Sequence, residues 1–246
     1  METYDVLATN YRAHRQPDAR IAEAMRQALG GAPRVLNVGA GAGSYEPDDR
    51  EVVAVEPSLR MLEQRPPYSA PAVRAHAEDL PFPAGSFDAA MAVLTLHHWR
   101  DWRQGVRELR RVAPVVAILT WDPAHDGFWL VRDYFPDLLD HDRKIFPRLA
   151  ALTEMLDATT VTPVPVPHDC TDGFLGAYWR RPDAYLETDT RRAISSFARV
   201  ANVEPRIERL RSDLDDGTWQ RKNTHLTGLA SLDAGYRLVV SRAASA

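Results

Sequence analysis

The sequence predicts an α/β fold: a seven-stranded, mostly parallel sheet with helices on both faces, the final strand antiparallel. Three observations predict it. Short apolar runs at 34–39, 51–55, 87–94 and 115–121 alternate with stretches of helical periodicity. The first run breaks into three alternate glycines, Gly39, Gly41 and Gly43, as a buried strand does when it ends in a tight turn. The second run ends in an acid, Glu56. Glycines at a strand end let the backbone approach a ligand, because no Cβ stands in the way. An acid at the tip of the next strand can accept hydrogen bonds from a ribose diol. The pair predicts an adenosine-type ligand lying across the carboxyl ends of two parallel strands.

The elements follow in order. Residues 1–31 read as two helices: Tyr4, Leu7, Ala8 and Tyr11 recur at helical spacing, as do Ile21, Met25 and Leu29 after Pro17, and Gly30-Gly31 stops the second. After strands one and two, Ser58 is placed to cap a helix running to about Gln64. Strand three is expected at 72–76. The helix 100–112 carries Trp102, Val106, Leu109 and Val112 on one face. Residues 122–157 interrupt the alternation with an aromatic helical insertion after strand five. They include Phe128, Trp129, Leu130, Tyr134 and Phe135, then Ile145, Leu149, Leu152 and Leu156. Residues 161–166 alternate Val and Pro, as tolerated on an edge strand. Residues 167–179 interleave polar residues and glycines with aromatics and read as a pocket wall. Residues 188–202 and 204–231 are expected to be helical, and 236–240 to be the last strand. The organisation expected is one domain, 1–246: a cofactor-binding core at about 32–121, a helical lid at 1–31, and an acceptor-side insertion of 122–157 and 168–181.

Composition narrows the function classes. A net charge of −4 leaves no basic footprint for nucleic acid. No apolar run reaches the roughly 18 residues of a membrane span. The N-terminal residues are polar, and Cys170 is a lone cysteine, so a cytoplasmic setting is expected. No Gly-x-Ser-x-Gly elbow of a hydrolase is present. The cluster His168, Asp169, Cys170 and Asp172 is too compressed for zinc, so no metal is expected. A dinucleotide fingerprint would need glycine at position 44, which is Ser44. Pro47 and Asp48-Asp49-Arg50 leave room only for a short, acidic helix after the glycines, a poor pyrophosphate site.

The glycine run and Glu56 resemble motifs of the class I S-adenosylmethionine-dependent methyltransferases, small-molecule type. Three further stretches agree: Ala75-His76-Ala77-Glu78-Asp79-Leu80-Pro81-Phe82; Gly85-Ser86-Phe87-Asp88 with the apolar run after it; and Leu96-His97-His98-Trp99, followed by Glu108-Leu109-Arg110-Arg111-Val112. Order and spacing match over about residues 30–121. The resemblance implies a Rossmann-like fold and S-adenosyl-L-methionine as cofactor. It implies cofactor-binding roles for Tyr11, Arg15, Gly39, Ala40, Gly41, Glu56, Pro57, Met61, Ala77, Glu78 and Leu94. Within these, Tyr11 and Arg15 match an N-terminal segment that folds over the cofactor, Arg15 facing its methionine carboxylate. Where many relatives carry an aspartate for the adenine amino group, this chain has His76.

Methyl transfer from a sulfonium needs mainly proximity and orientation, and a base only when the acceptor arrives protonated. Candidates near the strand ends are His97, His98, Asp122, His168 and Asp169; His98, His168 and Asp169 are the catalytic candidates. Trp121, Asp122, Trp129, Tyr178 and Trp179 are expected to line an acceptor pocket, mainly apolar with a few placed polar groups. The other meaning of those aromatics is a small core of the insertion's own. The expected partner is a small-molecule acceptor, with the chain a monomer or homodimer. Two other functions fit less well: a nicotinamide-dependent oxidoreductase, and a module that binds the cofactor without methylating.

Overall fold

The computed structural model describes residues 14–125 and 127–243. Where the sequence predicts one domain, the chain divides into two compact units, each discontinuous in sequence. The sheet unit comprises Ala19–Asp122, Ile145–Val164 and the chain from Tyr236 onward. The helical unit comprises the segment ending at Asp18, with Pro123–Lys144 and Pro165–Gly235.

The sheet unit holds strands β1 (Arg34–Val38), β2 (Glu51–Val55), β3 (Ala72–Val73), β4 (Ala89–Val93), β5 (Val115–Trp121), β6 (Thr160–Pro163) and β9 (Tyr236–Arg242). Their order is β3-β2-β1-β4-β5-β9-β6. Only β9 runs against the rest: it is antiparallel to both β5 and β6. Val35 sits level with Val52 on one side and Ala89 on the other, so the carboxyl ends of β1, β2 and β4 finish along one edge. Apart from the first residue of β1 and the first of β5, neither of these strands exposes a residue, which is why both read as unbroken apolar runs. β3 is shorter than expected. Both of its residues are exposed, and the chain leaves the ladder before His76.

One face of the sheet is covered by the helices Trp102–Val112 and Leu149–Leu156. Val106, Leu109, Leu152 and Leu156 share a buried cluster with Leu36, Val38 and Val239. Asp101 begins the first helix by accepting the N–H groups of Arg103 and Gln104 at 2.9 and 3.1 Å, a cap worth about 1 kcal/mol. On the other face, helix Ala19–Leu29 packs on β4 and β5 and buries Ile21, Met25 and Leu29. Two expectations are corrected here. Helix Leu149–Leu156 is core of the sheet unit, not part of an acceptor-side insertion. Helix Ala19–Leu29 likewise belongs to the sheet rather than to a lid. The other N-terminal helix expected, with Tyr4 and Tyr11, lies outside the described residues.

The helical unit is built on aromatic side chains. Phe128, Trp129, Phe135, Trp179 and Tyr185 are all at most 1% exposed. The Trp129 indole N–H donates to Trp179 O at 2.8 Å, and the Trp179 indole donates to Val166 O at 2.9 Å. Trp129 meets Tyr134, Tyr185 and Trp219 edge-on, with centroids 5.2–5.9 Å apart. A short ladder of β7 (Val166–Pro167) and β8 (Ser231–Leu232) closes one side. The two long helices expected at 188–202 and 204–231 form as three, Thr188–Ala193, Val203–Asp215 and Thr218–Lys222. Asn202 and Gly217 break them by taking left-handed φ of +55° and +75°. No helix among the described residues is long and apolar enough to cross a membrane.

Helix Pro136–Ile145 of the helical unit buries a carboxylate. Asp142 is 1% exposed, and neither oxygen has a hydrogen-bond partner among the described residues. Burial pushes its pKa up to about 7, against a smaller opposing effect of the Arg199 charge. The folded state therefore favours the protonated acid. Its stabilising effect is complete below the unfolded value near 4 and is lost as pH rises through about 7.

Two predictions follow from this packing. Between pH 4 and 7, the stability of the wild type should fall by up to about 4 kcal/mol relative to Asp142→Asn, measured by urea unfolding at each pH; parallel pH profiles would contradict it. Trp129→Ala should cost roughly 3–5 kcal/mol, as for a large buried aromatic. Trp129→Phe should cost less, about 1–3 kcal/mol, because it mainly leaves Trp179 O without its donor.

Candidate functional site

The loop after β1 contains the three alternate glycines, all left-handed: Gly39 at φ +73°, Gly41 at +53° and Gly43 at +95°. The first two have different reasons. A Cβ at Gly39 would lie 2.1 Å from Thr95 Oγ1 and 2.8 Å from Thr95 Cβ, so the side chain excluded there is excluded by the protein itself. This corrects the simple view that the glycine only makes room for a ligand. A Cβ at Gly41 would meet nothing closer than Met61 Cε, at an ordinary contact distance of 3.7 Å, so the protein itself does not crowd this stretch of backbone. The loop is pinned to β2 by Gly39 N and Ala40 N, which both donate to Val55 O at 2.9 and 3.0 Å. The short helix expected after the glycines does not form. Residues 41–50 run as turns and bends straight into β2, since Gly43, Pro47, Asp48 and Asp49 are weak helix formers.

Glu56 follows the last residue of β2 and is 5% exposed. Its Oε2 accepts from Gly41 N at 2.8 Å and its Oε1 from Ser58 N at 2.9 Å. Both bonds are charge-assisted and fix the carboxylate at the strand tip. Ser58 Oγ caps the helix Leu59–Glu63 through Met61 N at 3.4 Å, which turns Met61 inward, 2% exposed. Pro57 is half-buried, and its carbonyl accepts from Arg74 Nε at 3.1 Å.

Beyond β3, Ala77 is buried and His76 half-buried. Glu78 Oε1 accepts the N–H of Asp101 at 3.0 Å, which ties this loop to the start of helix Trp102–Val112. After β4, Leu94 takes a left-handed φ of +50°, a strained conformation for a branched side chain. The turn Leu96–His98 follows, with His97 and His98 half-buried and their ring centroids 3.8 Å apart. His97 stacks on Phe146 at 4.1 Å and 19°, and Phe146 meets Trp121, the last residue of β5, edge-on at 5.6 Å. Asp122 comes next and is half-buried. Within the sheet unit, then, Gly39, Ala40, Gly41, Glu56, Leu94, His98, Trp121 and Asp122 all stand at carboxyl ends of strands, where α/β sheets bind ligands.

The remaining candidates lie in the helical unit. Arg15 pairs with Asp172, Nε to Oδ1 at 2.5 Å and Nη2 to Oδ2 at 3.3 Å, and Asp172 is 1% exposed. Arg15 thus already holds a carboxylate of its own unit. Tyr11 lies outside the described residues. His168 is half-buried and Asp169 exposed, on the turn after β7, where His168 N donates to Ala230 O at 3.0 Å. Tyr178 is half-buried under the Arg181 guanidinium, 5.0 Å from its ring, and burial raises its phenol pKa. Trp129 and Trp179 are core side chains whose indole donors are already taken by backbone carbonyls. Packing is the role the structure gives them. Sequence reasoning missed Thr95, although it sits directly after strand four; only the fold shows that it abuts Gly39.

The strand-end groups of the sheet unit fit an adenosine: an acid at the β2 tip, uncrowded backbone at Gly41, and apolar Met61 beside it. With no helix after the glycine loop, the site lacks the N–H array that a pyrophosphate needs. A family profile described as "Methyltransferase domain" matches residues 36–114. A solved structure from Anabaena variabilis, described as a putative methyltransferase from an antibiotic biosynthesis pathway, is 32% identical. It superposes with a TM-score of 0.84, covering 93% of this chain and 98% of its own. A chloroplastic 2-methyl-6-phytyl-1,4-hydroquinone methyltransferase of rice, Oryza sativa subsp. japonica, is 30% identical over 116 residues, 43% of this chain and 33% of the relative. The uncharacterized methyltransferase YcgJ of Bacillus subtilis is 34% identical over 113 residues, 42% of this chain and 41% of the relative. The chain thus spans between about a third and two fifths of the length of these curated relatives. Its fold, its strand-end residues and its full-length likeness to the Anabaena protein agree: the chain belongs to the class I S-adenosylmethionine-dependent methyltransferases.

Proposed function

We propose that this protein transfers a methyl group from S-adenosyl-L-methionine to a small-molecule acceptor in a biosynthetic step. The observation that carries the reading is Glu56, a buried acid at the tip of β2, oriented by the N–H groups of Gly41 and Ser58. When bound, the sulfonium supplies an already activated methyl group. Glu56 would accept hydrogen bonds from the ribose hydroxyls, Gly41 would let the ligand approach its backbone, and Met61 and Ala77 would hold the base. His98, on the turn after β4, takes the acceptor's proton where the acceptor arrives protonated. The acceptor class is a metabolite: the rice relative is named for a hydroquinone acceptor and the Anabaena protein for an antibiotic biosynthesis pathway, and the net charge of −4 is unsuited to a nucleic acid.

Calorimetry with S-adenosylhomocysteine and with NAD tests the reading. The wild type should bind the first and not the second; the reverse would overturn it. Glu56→Ala leaves two backbone donors and the ribose hydroxyls without their acceptor, so affinity should fall roughly tenfold or more, about 1.5–3 kcal/mol. Unchanged affinity would remove Glu56 from the site. A labelled methyl group from the cofactor should appear in a metabolite when a panel of phenols, amines and acids is offered. His98→Ala should lower kcat without changing affinity for S-adenosylhomocysteine.

A further inference from the structure

A polar cluster within the sheet unit packs against the glycine loop and is not used by the cofactor reading. Arg65 Nη2 lies 2.9 Å from both carboxylate oxygens of Glu46, and the two side chains are 6% and 9% exposed. Asn37, buried within β1, donates through Nδ2 to Glu46 Oε1 at 3.3 Å. Ala70, just before β3, donates its N–H to Glu46 Oε2 at 3.3 Å, and its carbonyl accepts from Arg65 Nη2 at 2.8 Å. Four segments therefore meet at one ion pair: β1, the end of the glycine loop, the turn after helix Leu59–Glu63, and the approach to β3. Gly43 rests on it. A Cβ there would stand 3.3 Å from Arg65 Nη1 and Ser69 Oγ and 3.5 Å from Glu46 Oε2. Tyr45, next to Glu46, takes a left-handed φ of +63°.

The cluster stands where a helix would otherwise hold the loop. With turns in place of that helix, no helical ladder of backbone hydrogen bonds fixes the path of the loop after Gly43 among the described residues. Stability alone is a poor explanation of the pair. Desolvating two charges offsets most of their attraction, and an apolar pair of similar volume often stabilises as well. Asn37 Oδ1 and Arg65 Nη1 are also buried with no hydrogen-bond partner among the described residues, a cost that a purely stabilising cluster would avoid. What the pair does supply is a fixed position for four backbone segments.

We propose that Glu46 and Arg65 are positioning residues for cofactor binding: their ion pair sets the backbone of the glycine loop and, through Gly41 N, the orientation of the Glu56 carboxylate. This inference rests on the reading that Gly39–Gly41 and Glu56 hold S-adenosylmethionine. The test titrates S-adenosylhomocysteine into the wild type, Glu46→Gln, Arg65→Met and the double variant Glu46→Gln/Arg65→Met, alongside thermal melts and amide hydrogen exchange. Each single variant strands a polar partner, and should melt earlier and bind about tenfold more weakly. The double variant leaves no buried charge unpaired, so its melting temperature should return toward the wild-type value. Its affinity should stay at least about fivefold weaker, and amides 40–46 should exchange faster than in the wild type while those of helix Trp102–Val112 do not change. A merely structural pair would recover affinity together with stability. Wild-type affinity or wild-type loop exchange in the double variant overturns the proposal, and the double variant decides the matter if the single variants do not fold. If the wild type binds no S-adenosylhomocysteine, the cofactor reading falls and this inference falls with it; if only the double variant behaves as wild type, the cofactor reading stands and the inference alone fails.

Discussion

The sheet unit depends on how its backbone leaves β1. Three left-handed glycines in five residues let the chain reverse without a helix, and each abuts a different neighbour: Thr95 after β4, Met61 after β2, and the Glu46–Arg65 pair. The reversal is anchored at one point, Val55 O, which accepts from both Gly39 N and Ala40 N. One residue further on, Gly41 N is spent on Glu56 rather than on another carbonyl. The tips of β1 and β2 are thereby joined by a carboxylate, and the acid that could meet a ligand is also the acid that closes the loop. Changes on either side of that bond act on both.

The residues around this bond were the most legible part of the chain. β1, β2 and β5 could be read almost to the residue, because strands buried on both faces leave apolar runs that end where burial ends. Ser58 was legible as a cap, because capping chemistry is local, whereas the capping role of Asp101 emerges only in the structure. β3 was overestimated, since its exposed edge position gives no pattern to count. Helix Leu149–Leu156 shows a different limit. Its leucines announce an apolar face, but nothing local says that the face meets Val106 and Leu109 rather than the aromatics that precede it in sequence. The missing helix after Gly43 was suggested by Pro47 and its acidic neighbours but not concluded from them.

Residues of the helical unit were legible as a composition and not as an arrangement. An aromatic-rich stretch admits two meanings, a core or a pocket wall, and both bury large rings. Trp129 lies 50 positions from Trp179 and Trp179 lies 13 from Val166, and each donates its indole N–H to a carbonyl that no periodicity marks. Arg15 and Asp172 are likewise 157 positions apart. Here a charged residue that resemblance assigns to a ligand has its carboxylate inside the protein. Pairs of that kind are set by the fold, so sequence could nominate each member but not the match.

Methyl transfer places an unusual weight on positioning. Because the methyl group arrives activated, a protein that performs it gains little from strong acids or bases and much from holding one ligand at a fixed angle to another. Three acids of the sheet unit fit that demand. Glu56, Glu78 and Glu46 each spend at least one carboxylate oxygen on a backbone N–H, of Gly41 and Ser58, of Asp101 and of Ala70 respectively. Three acids near the ends of parallel strands thus act first on the protein's own loops. Their charge is used to hold backbone in place, which is the contribution a reaction of this kind most needs from its protein.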